Sequence, residues 1–303
     1  MSRADSALGG YLRARRDALS PSAAGIVDDA ARRVTGLRRQ EVANLAGISS
    51  EYYLRLEQGK DRQPSGQVLL ALGRALHLDP DGMSYLFRLA GQVYPSGSAS
   101  PATADRVPSA AGGLSAGLTA LLDQWSGTPA YVLDRNQDVL GVNDLGREFL
   151  PFPAGPGMNL IELTAGYADA DGADHRDHWD RLLADHVRAL RYWGDPADPR
   201  LQLLVASLSS RSRVFRQVWE AHEARPFRSG MIAAEVAPFG YLRFNWQVLE
   251  VPGRNQFLFA YFGDPQSPAS AAAIDYLRAK VRVRQTMAHS GSLPLPPDPR
   301  GQA

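Results

Sequence analysis

The segment from Leu37 to Ser65, LRRQEVANLAGISSEYYLRLEQGKDRQPS, carries the chain's clearest chemical pattern. A small residue, Ala43, stands where two helices would need to approach closely. Gly47 follows four residues later, where a tight corner needs a left-handed backbone. Val42, Ala46, Ile48, Tyr53 and Leu56 recur at the spacing of two apolar helix faces. Ser49 is the residue type that caps a second helix, whose polar leading turn is then offered outward. Hydrogen-bonding side chains on such a turn have the chemistry and shape to enter the major groove of a duplex.

Other chemistries find less support. His175 and His178 stand near Asp171, Asp174 and Asp180, but in an acidic run at a helix start, where aspartates favour the helix dipole. The DADGAD stretch lacks calcium-loop spacing, and Asp180 stands at the twelfth position, where such a loop carries glutamate. No Gly-rich phosphate loop and no Gly-x-Ser-x-Gly elbow occurs. The absence of cysteine removes disulfides, Cys-ligated zinc and thiol nucleophiles together. The expectation is a protein that is not an enzyme, with no catalytic residue, no metal site and no cofactor.

Helical spacing predicts the elements that must position the Ser49 turn. A first helix covers Leu8–Leu19, the motif helices cover Leu37–Ala46 and Ser50–Gln58, and Ser65 caps a helix over Gly66–Leu76. Asp79-Pro80 opens a fifth helix that runs to about Ala90, with Gly91 after its end. Ser22–Thr35 reads equally as loop or helix.

At 303 residues the chain is about twice the usual domain length, which implies two domains. Thirty-three Lys and Arg against 32 Asp and Glu give a formal +1, yet the balance is uneven. Residues 1–94 hold 13 basic and 10 acidic residues, leaving +3, whereas the remainder holds 20 and 22, leaving −2. Only Lys60 and Lys280 are lysines, so nearly all positive charge is arginine. From Tyr94 to Gly113 runs a Pro-, Ser-, Gly- and Ala-rich stretch unable to bury much apolar surface, the mark of a flexible linker. The boundaries expected are therefore 1–93, the linker at 94–113, a second domain at 114–284, and a disordered Pro-rich tail at 285–303. No charged stub precedes an apolar run at the start, and no stretch of about 18 apolar residues occurs. A cytoplasmic, nucleoid-associated protein with no membrane insertion is expected.

The second domain mixes patterns. Leu114–Trp125 reads as a helix, Ala130–Asp134 and Asp138–Val142 as a hairpin, and Asn143–Leu150 as a short helix that Asn143 would cap. Further helices are expected over Asn159–Thr164, Arg176–Trp193, Arg200–Ser210 and Arg213–His222. Strands return at about Arg228–Val236, Gly240–Leu249 and Gln256–Gly263, before a closing helix over Ala269–Val283. This is an α+β domain with a five-stranded antiparallel sheet.

From Leu12 to Gly91 the chain resembles the XRE class of phage-repressor-type helix-turn-helix regulators, in its actinobacterial variant. The resemblance rests on Gly36-Leu37-Arg38-Arg39, Leu45-Ala46-Gly47, Tyr52-Tyr53 and Leu56-Glu57-Gln58-Gly59. It implies an all-α, five-helix, lambda-repressor-like domain. By position it makes Ser50, Glu51 and Arg55, with Ser49 as cap, the residues that meet base edges, and Arg39, Lys60 and Arg62 those that meet phosphates. Arginine can bond guanine O6 and N7 together, and glutamate can accept from cytosine N4. Arg16 and Glu57 match the buried ion pair of this class. The partner implied is double-stranded DNA, read by a homodimer on a near-palindromic site.

From about Leu114 to Leu277 the chain resembles the MmyB-like ligand-binding domain, which has a PAS-like fold. The matching residues include Pro129–Arg135, Val142-Asn143, Met158–Ile161, Trp179, Leu190-Arg191, Ser212–Trp219 and Gly240–Leu242. The resemblance implies a small-molecule effector held in an apolar cavity, a fatty acid or similar lipophile. Large side chains available for a cavity or a plain core include Trp179, Phe215, Trp219 and Phe244. Asn143, Arg191, Arg216 and His222 are the polar candidates for a head group. A sheet that faces a protein partner is the first alternative, and an enzyme with a DNA-binding head is the second.

Overall fold

In the computed structural model, residues 6–27, 34–60, 63–95, 113–170, 175–252 and 254–290 are described. The first region is helical: α1 (Ala7–Ala18), α2 (Arg39–Ala46), α3 (Ser50–Glu57), α4 (Gly66–Ala75) and α5 (Pro80–Leu89). Each start has a physical cause. Ser6, Ser49, Ser65 and Asp79 cap α1, α3, α4 and α5 by accepting a backbone N–H from Gly9, Tyr52, Val68 and Gly82. Helix α2 starts two residues later than its apolar pattern suggests. Leu37 is fully buried but lies outside the helix, with its N–H donated to the Arg16 carbonyl at 2.9 Å. Leu12, Val42, Tyr53, Leu56, Leu69 and Leu86 meet in one core, with α1 on α3 and α5, and α2 on α3 and α4. The ambiguous joint forms a turn at 21–25, and residues 28–33 lie outside the described residues.

The rest of the chain is α+β, with α6 (Ala116–Gln124), β1 (Ala130–Asp134), β2 (Val139–Val142) and α7 (Asp144–Phe149) first. Four helices follow: α8 (Leu160–Ala170), α9 (Arg176–Trp193), α10 (Pro199–Arg211) and α11 (Arg213–Glu220). Then come β3 (Ser229–Val236), β4 (Gly240–Val251), β5 (Gln256–Gly263) and α12 (Pro268–Ser290). The five strands form one antiparallel sheet in the order β2-β1-β5-β4-β3. A two-strand hairpin and a three-strand meander thus join through β1 and β5, and the chain between β2 and β3 supplies α7–α11.

Two helices outrun their expected ends. Helix α8 continues past Gly166 to Ala170, started by Asn159, whose Oδ1 accepts the N–H of Ile161 and of Glu162 at 3.1 Å each. Helix α12 reaches Ser290 rather than Val283, because the sequence offers no glycine or proline between Pro268 and Gly291. The first residues of the expected tail are therefore helical, while 291–303 and the linker residues 96–112 lie outside the described residues.

Residues 1–108 together with 164–227 form one compact unit, and residues 109–163 together with 228–303 form another. Helices α9, α10 and α11 thus gather with α1–α5, not with the sheet.

Candidate nucleic-acid interface and effector domain

The corner between α2 and α3 is built as its residue types require. Gly47 adopts φ 67°, ψ 33°, a left-handed conformation in which a β-carbon is costly. The Ile48 N–H closes the end of α2 on the Ala43 carbonyl at 3.0 Å. Ser49 Oγ then accepts the Tyr52 N–H at 3.1 Å and starts α3. Tyr53, Leu56 and Glu57 turn inward, with Glu57 only 1% exposed, while Glu51, Arg55 and Gln58 are exposed at i, i+4 and i+7. Ser49 and Lys60 are also exposed, and Ser50 is half-buried at the stripe's margin. Arg62 lies outside the described residues.

Behind this face sits a buried carboxylate. An acidic group at the end of a helix opposes the helix dipole, so Glu57 requires cations. Arg16 of α1 donates Nε to Glu57 Oε1, and Arg39 of α2 donates Nε to Oε2, each at 2.7 Å. Burial alone would raise the Glu57 carboxyl, but the hydrogen bonds and charges of the two arginines outweigh it and hold the group below its usual range. Arg16 is nearly buried and also donates to the Leu37 carbonyl at 2.9 Å. Half of the Arg39 side chain stays open to solvent, with its Nε committed to Glu57. The pairing of Arg16 with Glu57 was legible in the sequence, but the third member, Arg39, was read only as a phosphate contact. Gln58, on the stripe of Glu51 and Arg55, and the exposed Gln40 and Asn44 of α2 were missed. An i, i+4, i+7 count from Glu51 could have found Gln58.

The residues expected around a ligand scatter. Phe244 is fully buried on the sheet face that also carries Trp246, Phe259 and Tyr261, and its ring meets Phe149 edge-on at 4.9 Å. Asn143 is a structural staple. Its Nδ2 donates to the Trp125 and Thr128 carbonyls at 2.7 Å each, and its Oδ1 accepts from Gly146 N at 2.7 Å and Ala130 N at 3.1 Å. These four bonds use its whole amide capacity, so the structure gives this side chain a fold-holding role instead of a free head-group contact.

The remaining candidates lie in the other unit. Trp179 is fully buried against Tyr167, with ring centroids 4.7 Å apart, and Phe215, also fully buried, stacks on Trp219 at 5.7 Å. Arg191 lies over the Trp219 ring, 3.8 Å from its centroid, and donates to the Trp219 carbonyl. Its Nη1 stands 3.4 Å from His222 Nδ1. Arg216 is exposed and donates to the Ser209 carbonyl at 2.8 Å. A cleft of about 410 Å³ in this unit is lined by Arg15, His77, Asp79, Arg188, Glu223 and Arg225 among others, and by none of the expected ligand contacts. Among the described residues no three or more His, Cys, Asp or Glu gather as a metal ion requires, and Asp171 and Asp174 lie outside them. No described helix is long and apolar enough to cross a membrane.

A capped, outward-facing second helix beside a glycine corner, followed by an α+β domain, defines a DNA-binding regulator of the helix-turn-helix class. Residues 7–86 match the model of a helix-turn-helix domain, and residues 114–277 match that of the MmyB-like transcription regulator ligand binding domain. The second match spans more than half of the chain, which belongs to that family of transcription regulators. No curated protein matches the chain. The family domain's residues fall in both compact units, with 164–227 grouped with the helix-turn-helix.

Proposed function

We propose that the chain is a one-component regulator that binds a near-palindromic operator as a homodimer and answers to a lipophilic effector. The observation that carries the DNA part is the exposed row of Glu51, Arg55 and Gln58 opposite the buried Tyr53, Leu56 and Glu57. In this reading Ser50, Glu51 and Arg55, with Ser49 as cap, meet base edges, while Arg39, Lys60 and Arg62 meet phosphates. A dimer would set two such helices about one DNA turn apart. Fluorescence titration of a duplex selected from random sequence tests this. Equal affinity for selected and scrambled duplexes would sink it.

For the effector, a fatty acid or molecule of similar character, the support is the family and the supply of large apolar side chains. Among the expected residues, Phe215 and Phe244 are fully buried apolar side chains. Arg191, Trp219 and His222 are engaged with one another, and Asn143 with backbone. Native mass spectrometry before and after organic extraction tests the reading, with a lipid-sized mass lost on extraction as the expected result.

One observation favours a protein partner for the sheet as a second reading. Met231, Asn245 and Phe262 stand in cross-strand register on one face, where Met231 and Phe262 are 37% and 42% exposed. A protein partner retained by wild type and lost from a Met231→Ser, Phe262→Ser double variant would support it.

A further inference from the structure

The helix-turn-helix and the α9–α11 segment meet through chemistry, not through apolar contact alone. On α5, Tyr85 stacks on Tyr192, the centroids 5.9 Å apart and the planes 30° from parallel. Arg88, one turn later, donates Nη2 to the Trp193 carbonyl at 2.7 Å and lies over the Tyr192 and Trp193 rings. On α1, Arg15 donates Nη2 to the Ala221 carbonyl at 2.8 Å, just past the end of α11. A β-carbon at Gly10 would lie 3.2 Å from His222 Cε1, so the bare backbone there leaves the imidazole its seat. Tyr192 and Ala224 pack against the core of the five-helix domain. Arg191 completes the seam by tying the end of α9 to Trp219 and His222.

The same helix, α1, also touches α3. A β-carbon at Gly9 would lie 2.3 Å from the Glu57 carbonyl oxygen, and Arg16 holds the Glu57 carboxylate. A contiguous path of packed and hydrogen-bonded groups therefore runs from Arg191 through His222 and Ala221, across α1, to Glu57 and Arg39.

We propose that the ends of α9 and α11 are the transmission surface of this regulator, with Arg191 as the positioning residue that joins them against α1 and α5. Through this surface the ligand-binding family's own helices set the pose of α3. The function of Arg191, Trp219 and His222 is then to carry the response and not to hold the effector. The proposal rests on the reading that α3 binds DNA.

Hydrogen-exchange mass spectrometry of the full chain tests it, with wild type, Arg191→Ala and Arg88→Ala, each free and with a random-sequence duplex at low salt. Arg88 sits at the rim, so its variant keeps the fold if the loss of Arg191 does not. In the free protein, either variant should speed exchange in α1 and α5 by about tenfold. Unchanged α1 and α5 with faster exchange confined to α9–α11 would overturn the proposal. In wild type the duplex should slow exchange in α3 and, by reciprocity, at the ends of α9 and α11. Slowing in α3 with no change at those ends also overturns it. If α3 itself gains no protection, the DNA reading fails instead, and the free-protein comparison still decides the seam.

Discussion

Arg39 Nε stands 2.7 Å from Glu57 Oε2, so a side chain expected to meet a DNA phosphate is held from behind by a buried carboxylate. Glu57 spends its other oxygen on Arg16, and the three residues tie α1, α2 and α3 together. The two arginines differ in exposure, and that difference decides what their loss costs. Arg16→Ala leaves a carboxylate that is 1% exposed with half its partners and should cost about 3–5 kcal/mol. Arg39 is half exposed, so Arg39→Ala should cost about 1 kcal/mol or less. Urea denaturation of both variants checks the order, and equal losses would refute it.

The two arginines proposed to face DNA, Arg55 and Arg39, should separate in binding experiments. Arg55→Ala should remove about 1–3 kcal/mol of preference for the selected duplex and relax discrimination at one position. Arg39→Ala should weaken all duplexes alike and lower the salt slope by about 1. Titrations at several salt concentrations read both quantities. A variant that keeps wild-type affinity, slope and preference removes its residue from the interface.

Asn143 should behave as a structural residue. Asn143→Ala strands the N–H groups of Ala130 and Gly146 and the carbonyls of Trp125 and Thr128, and should cost about 2–4 kcal/mol. Asn143→Asp keeps an acceptor but cannot donate to the two carbonyls, so it should rescue only part of the loss. Thermal melts of both variants decide the matter. Full stability in Asn143→Ala would show that these four bonds do not hold the fold.

The helix-turn-helix was legible because its logic is local. Gly47, Ser49 and the alternation of Tyr53 and Leu56 with Glu51 and Arg55 fix the corner and the outward face within one segment. The capping of α7 by Asn143, directly after the hairpin, was legible for the same reason. What stayed hidden depends on distant segments. Nothing near Arg191 announces Tyr85, more than one hundred positions away, and nothing near Arg15 announces the Ala221 carbonyl. A polar residue with large aromatic neighbours looks like a ligand contact in one dimension, whether it faces a cavity or another helix. The end of α12 was misjudged because a Pro-rich ending drew the boundary back from Gly291, although helix-competent residues fill the interval.

Acid should loosen the unit that contains the helix-turn-helix. Burial pushes His186, which faces the Phe227 ring, down to about 3. Burial and then the charges of Arg191, Arg15 and Arg13 push His222 down to about 4. Both values lie below the ordinary histidine value of 6.5, so the folded protein favours the neutral rings and the unfolded chain binds the protons first. The stability these groups supply is complete above about pH 6.5 and is lost as pH falls, through about 4 for His222 and about 3 for His186. His186→Phe should remove about one proton from the uptake that accompanies unfolding near pH 5, flattening the pH dependence. Urea midpoints across a pH series measure that slope. A slope unchanged by His186→Phe would mean that the buried imidazole is already charged in the folded protein.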